Sequence, residues 1–137
     1  MVTETLAACL APWCIAHDIA LCVLFGSRAR GYARPESDHD LALKPARPPA
    51  PLERVAWQVE LEDLLGTPVS LVLLTPDTDP VLGWEIARDG TLLYERDRGL
   101  WMRERARLWH LYNDALPFRR ALAESLRRYA NEVLRGA

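Results

Sequence analysis

An apolar run, Ala20-Leu21-Cys22-Val23-Leu24-Phe25, is closed by Gly26-Ser27, and ten residues later Asp38-His39-Asp40 opens a second one, Leu41-Ala42-Leu43. The first run is short and reads as a buried strand, and Gly26-Ser27 ends it where a helix can begin. A glycine there lets a phosphate approach the backbone closely, and the unpaired N–H groups of a new helix favour an anion. Ser27 can cap that helix or donate its hydroxyl to a phosphate oxygen. Two residues apart on an extended chain, Asp38 and Asp40 share a face. Their carboxylates repel unless a cation joins them, and hard oxygen donors completed by water and phosphate oxygens are what Mg²⁺ prefers. His39 points to the opposite face and reads as a packing or surface residue.

Either half alone has an ordinary reading, a turn after a strand or a solvated strand end. Together, each beside an apolar strand, they are far less expected by chance and suggest a site for a metal-bound triphosphate. Arg28, Arg30 and Arg34 follow the Gly-Ser step, and guanidinium groups match phosphate oxygens bidentately. A solvated helix face is the alternative for all three, and Arg34 is the weakest of them.

These residues carry a family resemblance. Gly26-Ser27, ten residues, then Asp38-x-Asp40 resembles the signature of the DNA polymerase beta-like nucleotidyltransferase superfamily. Gly26-Ser27-Arg28-Ala29-Arg30-Gly31 with Ser37-Asp38-x-Asp40-Leu41 is similar to its minimal nucleotidyltransferase branch. The likeness extends through Leu64-Leu65-Gly66, Glu85-Ile86-x-x-x-Gly90 and Tyr112-x-Asp114. It implies a polymerase beta-like α/β (α+β) fold with Mg²⁺ as cofactor and ATP as substrate. Asp38 and Asp40 would be the catalytic metal ligands, and Gly26, Ser27, Arg28, Arg30 and Ser37 would bind the nucleotide. It also implies a HEPN-domain toxin as partner, with this chain as the antitoxin that transfers AMP to a hydroxyl, plausibly a tyrosine, of that toxin.

The chain departs from the pattern at one position. Active members of the superfamily commonly carry a third carboxylate on the strand after the Gly66-type turn, and in Val69-Ser70-Leu71 the matching residue is Ser70. A serine takes no proton at neutral pH and is a poor Mg²⁺ ligand. The alternative is therefore a degenerate nucleotidyltransferase that neutralises its partner by binding alone. Asp77 and Asp79, beyond the strand end, are weak stand-ins for the missing group.

With 137 residues, half of them hydrophobic, the chain can build one core. A single domain is expected over 1–137, with a helical extension from about residue 98. The net charge of −2 argues against a dedicated nucleic-acid binder. Cys9, Cys14 and Cys22 are odd in number and lack metal-ligand spacing, so they read as buried free thiols in a reducing compartment. No run reaches membrane-spanning length and no signal-peptide pattern appears, so a cytoplasmic protein is expected.

Periodicity predicts a small mixed sheet flanked by helices. A helix over about 3–18 starts at Thr3 and kinks or breaks at Pro12, strands cover 20–25, 38–43, 68–74 and 91–95, and the proline-rich 44–51 is a linker. A helix over 52–65 should bury Leu52, Val55, Val59 and Leu64, and another runs over 80–88. Two helices broken near Pro117 should complete the chain. Trp101, Leu108 and Trp109 lie where a small domain has little left to cover them, and exposed aromatics there would allow a dimer or a hetero-complex. Arg105-x-x-x-x-His110-x-Tyr112 has the spacing of a HEPN ribonuclease motif. The helical segment is too short for that four-helix domain, so the spacing reads as coincidence.

Overall fold

A computed structural model describes residues 3–31 and 37–136. The order is α1 (Thr3–Ala16), β1 (Ile19–Phe25), α2 (Gly26–Ala29), β2 (His39–Pro45), α3 (Pro51–Leu65), β3 (Val69–Leu73), α4 (Pro80–Asp89), β4 (Thr91–Glu95) and α5 (Leu100–Arg135). The strands form one mixed sheet in the order β3-β2-β1-β4. β1 pairs antiparallel with both β2 and β4, and β2 pairs parallel with β3. No described helix is long and apolar enough to cross a membrane.

All seven residues of β1 are buried because the strand is central and helices cover both faces. On one face Cys22, Leu24, Leu41 and Leu43 meet Leu6, Leu10 and Cys14 of α1 and Trp57, Leu61 and Leu65 of α3. On the other, Leu21, Val23, Phe25 and Ala42 meet Ile86 and Ala87 of α4 and Trp101 and Leu108 of α5. The strand alternation decides which face each β2 residue serves. His39 and Leu41 face α1 and α3, whereas Asp40, Ala42 and Lys44 face α4 and α5. Cys14 and Cys22 are buried free thiols, as expected, whereas Cys9 is free but only partly buried.

Three side chains of α3, one helical turn apart, close the outer edge of β3. Arg54 donates to the Leu71 carbonyl at 3.1 Å, Gln58 donates to the Val69 carbonyl, and Glu62 accepts from the Val69 N–H at 3.1 Å. An edge strand otherwise presents these groups to another chain. Gly66, at φ 70°, ends α3 in the left-handed conformation that favours glycine.

Several expectations are corrected. The face α3 buries is Trp57, Leu61 and Leu65, while Leu52, Val55, Val59 and Leu64 are exposed. Both sets recur at helical spacing, and the set holding the bulky tryptophan removes more apolar surface from water. α1 continues through Pro12, and the C-terminal segment is one 36-residue helix through Pro117 rather than two. A proline inside a helix costs about 3 kcal/mol when the freed carbonyl is stranded. Pro12 and Pro117 both lie on exposed positions where water can satisfy that carbonyl. Lys44 and Pro45 belong to β2, and Asp38 sits just before it. Trp101 and Leu108 are buried, leaving Trp109 as the half-exposed member of the trio.

Candidate functional site

The site forms where β1 stops. Gly26 has φ +73°, and a Cβ built there would lie 2.1 Å from Oδ2 of Asp40. Phe25 pairs with Asp40 across β1 and β2, so the chain must turn directly over that carboxylate. Any side chain at 26 would displace it. α2 is a single turn beginning at Gly26 itself, and its cap, Phe25, makes no side-chain hydrogen bond. Ser27 is therefore the second residue of the turn, and of its two roles open from the sequence the helix cap falls away.

Asp40 is half-buried and Asp38 exposed, one residue outside the strand. Burial raises the Asp40 carboxyl above its ordinary pKa, the Asp38 charge raises it further, and a Ser70 hydrogen bond with the Arg30 charge offset part of the rise. Both main causes penalise the anion, so the site favours a cation. Ser70 is the direct parallel partner of Asp40 in the β2–β3 register, which places the hydroxyl on the same face, beside the carboxylate. Among the described residues no three His, Cys, Asp or Glu side chains gather as metal ligands. The two carboxylates fit a hard cation that completes its shell with water and phosphate oxygens.

A cleft of about 250 Å³ opens over Asp40, lined by Phe25, Gly26, Arg30, Asp40, Glu85, Arg88 and Asp89. Its far wall comes from α4. There Arg88 holds Asp89 at 2.8 Å, while Glu85 makes no ion pair among the described residues. Glu85, Arg88 and Asp89 were not singled out as site residues from the sequence. Only the packing of α4 across β1 brings them to a glycine some sixty positions earlier, and no local motif records that.

The arginines divide. Arg30 is exposed and lines the cleft. Arg28 donates through Nε at 3.0 Å and Nη2 at 2.7 Å to the carbonyl of Ser37, bracing the approach to β2. Ser37 is thus held through its backbone. Arg34 lies outside the described residues. Asp77 is an exposed turn residue, and Asp79 caps α4 by accepting from the Leu82 N–H at 3.0 Å. His39 is buried on the opposite face, its Nδ1 hydrogen bonded to Thr67 Oγ1. Burial, then the Arg28 charge, lower its pKa, so it packs as a neutral ring.

A four-stranded mixed sheet with a glycine turn seated on an aspartate at the end of its central strand defines a nucleotidyltransferase fold. Residues 11–99 match the polymerase beta nucleotidyltransferase family, and the chain belongs to that family. No curated protein sequence matches it. Among solved structures, a toxin–antitoxin crystal structure with AMP-PNP aligns at TM-score 0.76 and 20% identity, covering 88% of this chain and 97% of that one. The MNT antitoxin complexed with a tri-AMPylated HEPN toxin from Shewanella oneidensis aligns at TM-score 0.73 and 18% identity, over 91% and 98% of the two chains. A structure assigned as a minimal nucleotidyltransferase shares 31% identity at TM-score 0.53, over 66% of this chain and 95% of that one.

Proposed function

We propose that this chain is a Mg²⁺-dependent nucleotidyltransferase antitoxin that moves AMP from ATP to a hydroxyl, that of a tyrosine, on a HEPN-type toxin. The observation that carries this reading is the Gly26 turn pressed on the Asp40 carboxylate, beside Asp38, at the mouth of a cleft rimmed by Arg30 and Arg88. The AMP-PNP complex and the AMPylated toxin among the structural neighbours support adenosine triphosphate and a protein acceptor.

In this reading Asp38 and Asp40 hold the cation, which when bound would neutralise the triphosphate and the charge growing on pyrophosphate. The backbone at Gly26 and Ser27 receives the outer phosphates, and Arg30 faces them from the cleft wall. The acceptor oxygen forms a bond to the α-phosphorus as the bond from that phosphorus to the bridging oxygen breaks. Pyrophosphate leaves, and the hydroxyl proton passes to water. The protein contributes positioning and electrostatic stabilisation.

Ser70 favours a second reading. It stands in register with Asp40, where a hydroxyl can take no proton. A chain lacking that base would bind nucleotide and neutralise its partner by complex formation alone.

A transfer assay with α-labelled ATP and Mg²⁺, with and without the protein encoded by the adjacent gene, separates the two. Label on that protein, lost in Asp38→Asn/Asp40→Asn, is the expected result. A tight complex with no label establishes the binding antitoxin. Unchanged Mg²⁺-dependent ATP binding in the double variant removes the metal assignment.

A further inference from the structure

The helix α5 carries one apolar seam along its whole length. Trp101, Glu104, Leu108, Leu111, Ala115, Phe118, Leu122, then Leu126, Tyr129 and Val133 recur at steps of three and four, the spacing of one helix face. The first half of the seam is used: Trp101, Glu104 and Leu108 are buried against the sheet and α4. The second half is not. Phe118, Leu122, Leu126, Tyr129 and Val133 are between 50% and 72% exposed, with no element of the described chain packed on them.

Charge changes where the seam becomes exposed. From Pro117 to Gly136 there are five arginines against two glutamates, while the rest of the chain holds twelve basic and seventeen acidic residues. The five seam residues span only about 80° of the helix circumference, at about 100° per residue. A band that narrow matches a helix-packing seam rather than the broader apolar face of a helix lying in a lipid surface. A second copy of this helix would bring together two segments that each carry a net charge of +3, five arginines less two glutamates.

We propose that the second half of α5 is the docking element for a different protein. Its partner surface is an apolar groove between helices, rimmed by carboxylates. This rests on the functional reading above in taking the HEPN-type partner as that protein. The seam forms the contact; Arg119 lies about 20° beyond one edge of it, and Arg128 lies about 80° beyond the other, further round than Glu132, from where the long side chains reach toward the acidic rim. The cleft stays open, because it lies at the β1 end under α4.

The test uses the full chain and a HEPN-domain protein of the same genome in size-exclusion chromatography with light scattering, titration calorimetry and the label-transfer assay. Leu122→Glu and Leu126→Glu change exposed positions, and circular dichroism with ATP binding checks that fold and cleft are intact. Each is expected to weaken the complex at least 100-fold. Arg119→Glu with Arg128→Glu is expected to weaken it about 10-fold and to flatten its salt dependence.

An unchanged complex in the leucine variants overturns the docking assignment and leaves the functional reading standing. A seam-dependent complex without label keeps the docking assignment and removes the transferase. Neither complex nor label with the wild-type chain removes both. Self-association of the wild-type chain, or its co-sedimentation with anionic vesicles, abolished by Leu126→Glu gives the seam to a second copy or a membrane and overturns the proposal.

Discussion

The cleft at the end of β1 and the outer half of α5 are opposite kinds of functional surface. At the cleft the fold fixes the groups at its centre: Gly26 lies against the Asp40 carboxylate, Asp40 is set by its strand neighbours and Ser70 by register, and nearby Arg28 is tied to the Ser37 carbonyl. Along the outer half of α5 nothing in the chain constrains a side chain beyond the helix itself. Substitutions at the cleft should therefore register in the isolated protein. Substitutions on the exposed seam should register only when a partner is present.

The largest effect should come from supplying what the cleft lacks. Ser70→Asp places a third carboxylate beside Asp40, and restoring a general base is worth about 10²- to 10⁴-fold in rate. We expect labelling of the partner to rise at least 100-fold. The metal-free variant should melt below the wild type because three carboxylates then repel, and Mg²⁺ should reverse the difference. No gain in rate would mean that Ser70 is not what limits turnover.

Next comes the turn. Gly26→Ala adds a Cβ at a positive φ, costing about 1–3 kcal/mol in backbone strain alone, and drives it into the Asp40 carboxylate. We expect a loss of about 2–4 kcal/mol in urea unfolding together with loss of Mg²⁺-dependent ATP binding. Retained binding at wild-type affinity would show that the carboxylate is not fixed by this contact.

A smaller effect belongs to the joint between the two regions. Glu104, buried in the used half of the seam, accepts from Lys44 of β2 at 2.7 Å and from Arg107 Nε at 2.9 Å. Burial alone would raise its pKa, but the hydrogen bonds and charges of Arg107 and Lys44 outweigh that and hold it below the ordinary glutamate value. A depressed folded pKa contributes stability above the unfolded value, about 4.3, and loses it as pH falls through the folded value. Glu104→Gln should therefore cost about 2 kcal/mol at neutral pH, less than a fully buried pair because both cations are about one-third exposed. The gap from wild type should stay flat from pH 8 to about 5 and narrow below about pH 4. A gap unchanged in acid would place the lost stability in packing.

What could be read in advance follows the same division between local and tertiary causes. Gly26, Asp38 and Asp40 were legible because the chemistry lies within fifteen residues and each part adjoins an apolar strand. Ser70 was legible as a missing carboxylate, and the register explains why its position matters. Glu85, Arg88 and Asp89 were not, since they reach the cleft only through helix packing. The face of α3 was misread because two apolar sets share helical spacing and only the volume of Trp57 chooses between them. Pro12 read as a kink or break and Pro117 as a break, because sequence does not say which carbonyl faces water.

The smallest expected effect is the sharpest test of the contrast. Leu126→Glu replaces a side chain that is 59% exposed and touches no core residue, so the isolated protein should unfold within about 0.5 kcal/mol of wild type. Urea denaturation with unchanged slope measures this directly. The same substitution at a buried seam position, Leu108→Glu, should prevent folding, because Leu108 is fully buried against α4 and the sheet. The two leucines share a spacing and a helix face, and only the presence of a neighbour separates them. If Leu126→Glu destabilised the isolated chain as Leu108→Glu does, the outer seam would already be covered in the free protein and the contrast between the two regions would fail.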